Sequence, residues 1–108
     1  MPRQITVQQL KARLDAKEPT YLVDVRQPWE HATAALPDNL LLPLDQLAVR
    51  ADEMAPPPGA LVVVYCHHGI RSLTGAALLE RLGVSNVVSL AGGIDAWSLL
   101  VDAGVPRY

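Results

Sequence analysis

The residues that could do chemistry lie in one short stretch, Cys66-His67-His68-Gly69-Ile70-Arg71-Ser72, which contains the only cysteine of the chain. The apolar, β-branched run Leu61 to Tyr65 precedes it and predicts a strand covered on both faces. A predicted helix, 72–82, follows it. A loop that runs from a strand into a helix N-terminus points backbone amides at one spot and favours an anion there. The positive field at that spot favours the nucleophilic thiolate form of Cys66. The alternative interpretation is that Cys66 is an unreactive cysteine packed in the core.

The other residues of this loop have predicted supporting roles. Gly69 permits the tight curl of the backbone, and Arg71 could hold an anionic oxygen or stabilise loop carbonyls. His67 and His68 are adjacent and therefore point in different directions, and no third ligand lies near them in the sequence. We expect them to contribute backbone amides, and some positive charge, to the rim of the loop. The sequence predicts no metal site and no cofactor.

The composition argues against several classes of protein. A single cysteine cannot form an internal disulfide, a four-cysteine zinc site or a CxxC redox motif. A net charge of −2 argues against non-specific nucleic-acid binding, and 50% hydrophobic residues argue against disorder. The longest strongly apolar run, Leu61 to Cys66, is too short to cross a membrane, and the N-terminus lacks a secretory signal. We expect one domain, residues 1–108, in the cytoplasm, where a free thiol stays reduced.

Strands and helices alternate around the loop. Strands are predicted at 21–25, 61–65 and 86–90, and a short apolar run at 40–42 could be another. A first helix is predicted to begin at a capping box formed by Thr6 and Gln9. Further helices are predicted at 28–32, 43–55, 72–82 and 95–101. The alternation predicts the α/β class with a mostly parallel sheet.

Three blocks of this sequence resemble the single-domain rhodanese sulfurtransferases in order and spacing. They are Asp24-Val25-Arg26-Gln27-Pro28-Trp29-Glu30, the loop 66–72, and Leu90-Ala91-Gly92-Gly93-Ile94-Asp95-Ala96-Trp97. The resemblance covers essentially the whole chain. It implies a rhodanese-like α/β fold, with a central, mostly parallel sheet of about five strands and helices on both faces.

The same resemblance implies a reaction. Cys66 takes sulfane sulfur from a small anionic donor, such as thiosulfate, a polysulfide or a persulfide, and becomes a persulfide. It then passes the sulfur to cyanide or to a thiol, including the thiol of a protein. The residues that would cradle the outer sulfur are His67, His68, Gly69, Ile70 and Arg71.

One stretch departs from the family pattern, which has Gly-His-Ile-Pro-Gly-Ala after the Asp-Val-Arg block. The corresponding residues here are Ala34-Ala35-Leu36-Pro37-Asp38-Asn39, so the proline is kept and the glycines and histidine are not. Aspartate and asparagine tolerate the turn conformations that glycine adopts. We therefore expect the fold to survive the change, with an effect confined to the rim of the site.

Asp24 and Arg26 are candidate supporting residues at the same sheet edge. Arg26 could attract anionic donors, but a structural pair with Glu30 or Asp24 is the favoured interpretation. Asp24 could hydrogen-bond the backbone of the cysteine loop or cap the next turn. The two tryptophans, Trp29 and Trp97, are interpreted first as packing residues and second as walls of a substrate pocket.

Three other functions compete with sulfurtransferase activity. Cysteine phosphatases and arsenate reductases use a related loop with one residue more between cysteine and arginine, and the shorter loop here suits a single sulfur atom better than phosphate. A persulfide carrier that serves protein partners remains open. An inactive interaction module usually lacks the cysteine that this chain keeps. The oligomeric state is open, and the apolar-leaning segment 101–108 could pack on its own domain or on a partner.

Overall fold

A computed structural model describes residues 2–108 of the chain. The strands are β1 (Arg3–Ile5), β2 (Thr20–Asp24), β3 (Asn39–Leu41), β4 (Leu61–Tyr65) and β5 (Val87–Leu90). The helices are α1 (Val7–Asp15), α2 (Pro28–Thr33), α3 (Leu47–Arg50), α4 (Ile70–Arg81) and α5 (Gly93–Leu100). Single 3-10 turns precede and follow α3 at Leu44–Gln46 and Ala51–Glu53.

The five strands form one parallel sheet in the order β1-β5-β4-β2-β3. Residues along β4 alternate between its two faces: Val62 and Val64 join one core cluster, whereas Val63 and Tyr65 join the other. This explains why the run is apolar without alternation, because both faces of β4 are covered. The predicted α/β class and parallel sheet are confirmed.

Helices cover both faces of this sheet, as predicted. Helices α1 and α5 pack on one face, and α3 and α4 pack on the other. The buried side chains they contribute are Val7, Leu10, Ile94 and Trp97 on the first face, and Leu47, Ala76 and Leu79 on the second. The capping box at the start of α1 is also present, because the Gln9 amide donates to the Thr6 hydroxyl and the Thr6 amide donates to the Gln9 side chain.

Several element boundaries differ from the sequence prediction. Strand β1 is not predicted, because its three residues carry no apolar pattern and form a strand only by pairing with β5. The predicted helix at 72–82 begins two residues earlier, directly after Gly69, whose φ of 97° places it in the left-handed region. The predicted helix at 43–55 is broken into short pieces. Since Leu47 is the only fully buried side chain of those pieces, little packing enforces a regular helix there.

The stretch that departs from the family pattern forms a turn. Asp38, which stands where the pattern has glycine, has a φ of 51°. An aspartate tolerates this left-handed conformation better than most side chains. The fold therefore accommodates the change, as expected. Within residues 2–108, every helix is too short or too polar to span a membrane.

Candidate active site

The loop between β4 and α4 lies at the carboxyl edge of the sheet, beside the turn that joins β5 to α5. The backbone amides of Ile94 and Asp95 donate to the carbonyl oxygens of Cys66 and His67, at 2.9 and 3.1 Å. A Cβ atom on Gly93 would collide with both of those oxygens, so only glycine permits this approach. The N-terminus of α5 thus fixes the first half of the loop and satisfies its carbonyl groups.

The sulfur of Cys66 is surrounded by hydrogen-bond donors. Cys66 is 1% exposed, and its Sγ lies 3.2 Å from the Gly69 amide and 3.3 Å from the Ser72 amide. The left-handed conformation of Gly69 curls the chain so that its amide returns to the sulfur. The N-terminus of α4 adds the positive end of a helix dipole. The loop can therefore stabilise negative charge on the sulfur with fixed dipoles.

Two buried serine hydroxyls continue this network. Ser72 Oγ lies 3.4 Å from Cys66 Sγ and 2.7 Å from Ser89 Oγ. When the sulfur is a thiolate, Ser72 can donate its proton to the sulfur while Ser89 donates to Ser72. The sequence interpretation gives neither serine a role. The sequence signal for such a role is Ser89, whose hydroxyl lies in an otherwise apolar strand. Every residue of that strand is buried in the structure.

The two histidines lie at the rim of the loop, with ring centroids 3.9 Å apart. Burial and the nearby charge of His68 lower the pKa of His67 below its ordinary value, so His67 is neutral near pH 7. The lowered pKa argues against His67 as the source of the positive charge expected at the rim of the loop. His68 is exposed, and its Nδ1 lies 3.8 Å from a carboxylate oxygen of Asp95. Of the five residues predicted to cradle the outer sulfur, Gly69 is the one whose amide contacts Sγ.

Ile70 and Arg71 belong to the first turn of α4 rather than to the loop. Ile70 is 76% exposed. The two terminal nitrogens of Arg71 donate to the two carboxylate oxygens of Glu30, at 2.7 and 2.9 Å. These hydrogen bonds lower the pKa of Glu30 to about 2. Arg71 thus pairs with a buried carboxylate and stays partly exposed, and its predicted role in holding an anionic oxygen or stabilising loop carbonyls stays a prediction.

Asp24 and Arg26 form a second ion pair below the loop. Arg26 Nε and Nη2 donate to the Asp24 carboxylate at 2.9 and 2.8 Å, and both side chains are fully buried. Burial lowers the pKa of Arg26, but the bonds to Asp24 and Tyr108 outweigh it and raise that pKa above its ordinary value. This geometry favours the structural tie over direct attraction of donors. Asp24 also accepts from the Arg26 amide, and its Oδ2 lies 2.9 Å from His31 Nδ1. Its bonds therefore go to the next turn and to α2 rather than to the cysteine loop.

The segment 101–108 packs on its own chain. Val101, Val105 and Tyr108 lie against the core cluster on the α1 and α5 face. Tyr108 reaches the rim of the site, where its ring stacks on His67. Trp97 is buried in the core, whereas Trp29 is 63% exposed and touches Tyr108 edge-on. The two tryptophans therefore differ, since Trp97 is a packing residue and Trp29 lies at the rim.

Comparisons with known proteins place this chain in a family. The family model described as Rhodanese-like domain matches residues 6–100. The chain belongs to the rhodanese-like domain family. Within residues 2–108 of this rhodanese-like chain, no three histidine, cysteine, aspartate or glutamate side chains group as a metal site.

Three similar proteins give the scale of the resemblance. A protein of Allochromatium vinosum named "Sulfurtransferase" is 39% identical over 98 residues, which cover 91% of this chain and 90% of that protein. The "Putative sulfur carrier protein YrkF" of Bacillus subtilis is 26% identical over 95 residues, covering 88% of this chain and 50% of that protein. The crystal structure of a rhodanese-like domain protein from Staphylococcus aureus has a TM-score of 0.81 and 28% identity, and each chain covers 98% of the other. The predicted rhodanese-like fold is confirmed.

Proposed function

We propose that this protein is a sulfurtransferase that moves sulfane sulfur through a persulfide on Cys66. The observation that carries the proposal is the environment of Sγ, where two amides and a hydroxyl lie within 3.4 Å of one buried sulfur. Membership of the rhodanese-like family supports the same reaction class. The proposed location is the cytoplasm, since a reducing compartment keeps the single thiol free.

The first half-reaction loads the cysteine. The Cys66 thiolate attacks the outer sulfur of thiosulfate, a polysulfide or a persulfide, and a new S–S bond forms. The S–S bond of the donor breaks, and sulfite, a shorter polysulfide or a thiolate leaves with the electron pair. Covalent catalysis of this kind splits one transfer into two easier steps. The amides of Gly69 and Ser72 offset the negative charge before and after the transfer.

The second half-reaction returns the enzyme to its starting state. An acceptor nucleophile, such as cyanide or a thiolate, attacks the outer sulfur of the Cys66 persulfide. The S–S bond to Cys66 breaks, its electron pair returns to the Cys66 sulfur, and thiocyanate or a new persulfide leaves. The chain has one cysteine, so no internal disulfide can discharge the persulfide. Sulfur must therefore leave to an outside acceptor.

Thiocyanate formation tests this proposal. Purified protein given thiosulfate and cyanide is expected to form thiocyanate with ping-pong kinetics, and Cys66→Ser is expected to lose this activity entirely. Ser85→Ala, at an exposed position away from the loop, is the matched control and should keep wild-type rates. Equal thiocyanate formation by wild type and Cys66→Ser would contradict the proposal.

A second candidate function is sulfur carriage between proteins. It is favoured by the similarity to a protein named as a putative sulfur carrier and by the exposed apolar side chains of Trp29 and Ile70. Exposed apolar surface next to a reactive group suits contact with another protein. A carrier would pass sulfur from loaded Cys66 to a protein thiol much faster than to cyanide. Equal or faster transfer to cyanide would rule out this second function.

A further inference from the structure

The segment 101–108 is held against the active site by contacts with α5. The Ser98 hydroxyl donates to the carbonyl oxygen of Val105, and Arg107 pairs with Asp95 at 2.9 Å. Asp95 belongs to the helix turn whose amides fix the cysteine loop. The same short helix therefore positions both the loop and the segment that carries Tyr108.

The hydroxyl of Tyr108 connects the two ion pairs of the site. It accepts from Arg26 Nη1 at 2.8 Å and donates to Glu30 Oε2 at 2.8 Å. Burial raises the pKa of Tyr108 to about 12, with the bond from Arg26 lowering it and the bond to Glu30 raising it. The hydroxyl thus keeps its proton at neutral pH. It can donate that proton to the carboxylate that pairs with Arg71.

The ring of Tyr108 has a separate contact. It stacks on His67, with centroids 3.9 Å apart and an angle of 9° between the planes. His67 directly follows Cys66, so this ring forms a wall beside the cysteine loop. A phenylalanine would keep the stacking and lose only the hydroxyl bonds, which allows the two contributions to be separated.

These contacts surround the carboxylate that pairs with Arg71. The Tyr108 proton fixes Glu30 Oε2, and Glu30 engages both terminal nitrogens of Arg71, which is 37% exposed. A paired arginine attracts an incoming dianion less than a free one does, because the carboxylate cancels most of its field. This loss of electrostatic attraction is smaller for a donor that carries one negative charge.

We propose that Tyr108 is a specificity-determining, positioning residue: by holding Glu30 on Arg71, it favours sulfane-sulfur donors with one negative charge over doubly charged donors. This inference rests on the proposed sulfurtransferase function. It identifies the preferred donor class of the site as monoanionic.

Two sulfur donors that differ by one negative charge allow the effect of donor charge to be measured. Thiosulfate carries two negative charges, and methanethiosulfonate replaces one of its charged oxygens with a methyl group. In both reactions Cys66 takes the outer sulfur and the S–S bond breaks, releasing sulfite or methanesulfinate. The experiment measures kcat and KM for both donors with cyanide as acceptor, in the full chain.

Removal of the Tyr108 hydroxyl should change the donor preference. Tyr108→Phe is expected to raise the thiosulfate-to-methanethiosulfonate ratio of kcat/KM about threefold, through KM for thiosulfate and with kcat nearly constant. Glu30→Gln should move the ratio in the same direction by about tenfold, because it removes the neutralising charge itself. Tyr21→Phe is the control, since the Tyr21 hydroxyl accepts from the Ala55 amide at the opposite end of β2.

Distinct outcomes overturn distinct claims. An unchanged donor ratio in Tyr108→Phe, with persulfide still formed, overturns the specificity role and leaves the proposed function standing. A shift of equal size in Tyr21→Phe also overturns it, since the effect would then be unrelated to Glu30. If the wild-type protein transfers sulfur from neither donor, the proposed function falls and this inference falls with it.

Discussion

Two arginine–carboxylate pairs lie within one network, and burial separates their roles. Arg26 and Asp24 are both fully buried, whereas Arg71 is 37% exposed and pairs with a buried Glu30. Both arginines make two hydrogen bonds to one carboxylate, Arg26 side-on through Nε and Nη2 and Arg71 end-on through its two terminal nitrogens. The two pairs also differ in access, because an anionic donor can approach the partly exposed Arg71 and cannot approach the fully buried Arg26. The Arg26–Asp24 pair therefore suits a structural role at the sheet edge, whereas the role we propose for the Arg71–Glu30 pair is to adjust the charge that a donor meets.

The largest expected effect is the loss of stability when Arg26 is removed. Arg26→Met removes the guanidinium from the buried Asp24 carboxylate, which keeps only the residue-26 amide and His31 Nδ1 as partners. It also removes the donor to the Ala34 carbonyl oxygen, so the free energy of unfolding should fall by about 3 to 5 kcal/mol. Denaturant unfolding followed by circular dichroism measures this. Arg50→Met is the control, because the Arg50–Glu53 pair is exposed, and its free energy of unfolding should stay close to that of the wild type. A similar, small change in both variants would contradict the structural role of Arg26.

A smaller loss of stability is expected for Arg71→Met. Glu30 keeps hydrogen bonds from the Gln27 amide and the Tyr108 hydroxyl, so unfolding free energy should fall by only about 1 to 2 kcal/mol. The activity should respond more strongly, with kcat/KM for thiosulfate about tenfold lower because the unpaired Glu30 repels a dianion. Steady-state kinetics and denaturant unfolding check the two parts. A larger loss of stability for Arg71→Met than for Arg26→Met would contradict the structural role assigned to Arg26.

The stability of the protein should also depend on acid pH. The folded protein holds the pKa of Glu30 at about 2, below its ordinary 4.5, through the hydrogen bonds from Arg71. A depressed pKa gives stability that is present above about pH 4.5 and is lost as pH falls toward 2. Melting temperatures between pH 5 and about 2 should therefore fall less steeply for Glu30→Gln than for the wild type. Parallel curves for the two proteins would show that the Arg71 bond does not stabilise the charged form of Glu30.

Much of the fold could be predicted from the sequence, because local patterns encode it. The β-branched run before Cys66 predicts β4, and the Thr6 capping box predicts the start of α1. Strand β1 could not be predicted, since its residues become a strand only through pairing with β5. The break-up of the predicted 43–55 helix could not be predicted either, because it depends on how few side chains of that segment are buried in the fold.

The site was predictable where one segment forms it and not where distant segments meet. The Cys66 loop and Gly69 are contiguous in sequence, and their arrangement follows from the strand, the turn and the helix around them. The partner of Arg71 is Glu30 on α2, 41 residues away in the sequence. Glu30 in turn accepts from the hydroxyl of Tyr108, which is 78 residues from it. No spacing rule connects positions that far apart. Ser89 stands out as a hydroxyl in an apolar strand, but its role depends on β5 lying beside the cysteine loop, which no local pattern encodes.

The central claim, that Cys66 carries the transferred sulfur, is tested most directly by intact-mass spectrometry with peptide mapping after donor treatment. Wild-type protein treated with thiosulfate or methanethiosulfonate should gain the mass of one sulfur atom, located on the Cys66 peptide. Subsequent cyanide should remove that mass and release thiocyanate. Unchanged mass after both donors, or added sulfur that cyanide does not remove, would contradict this account.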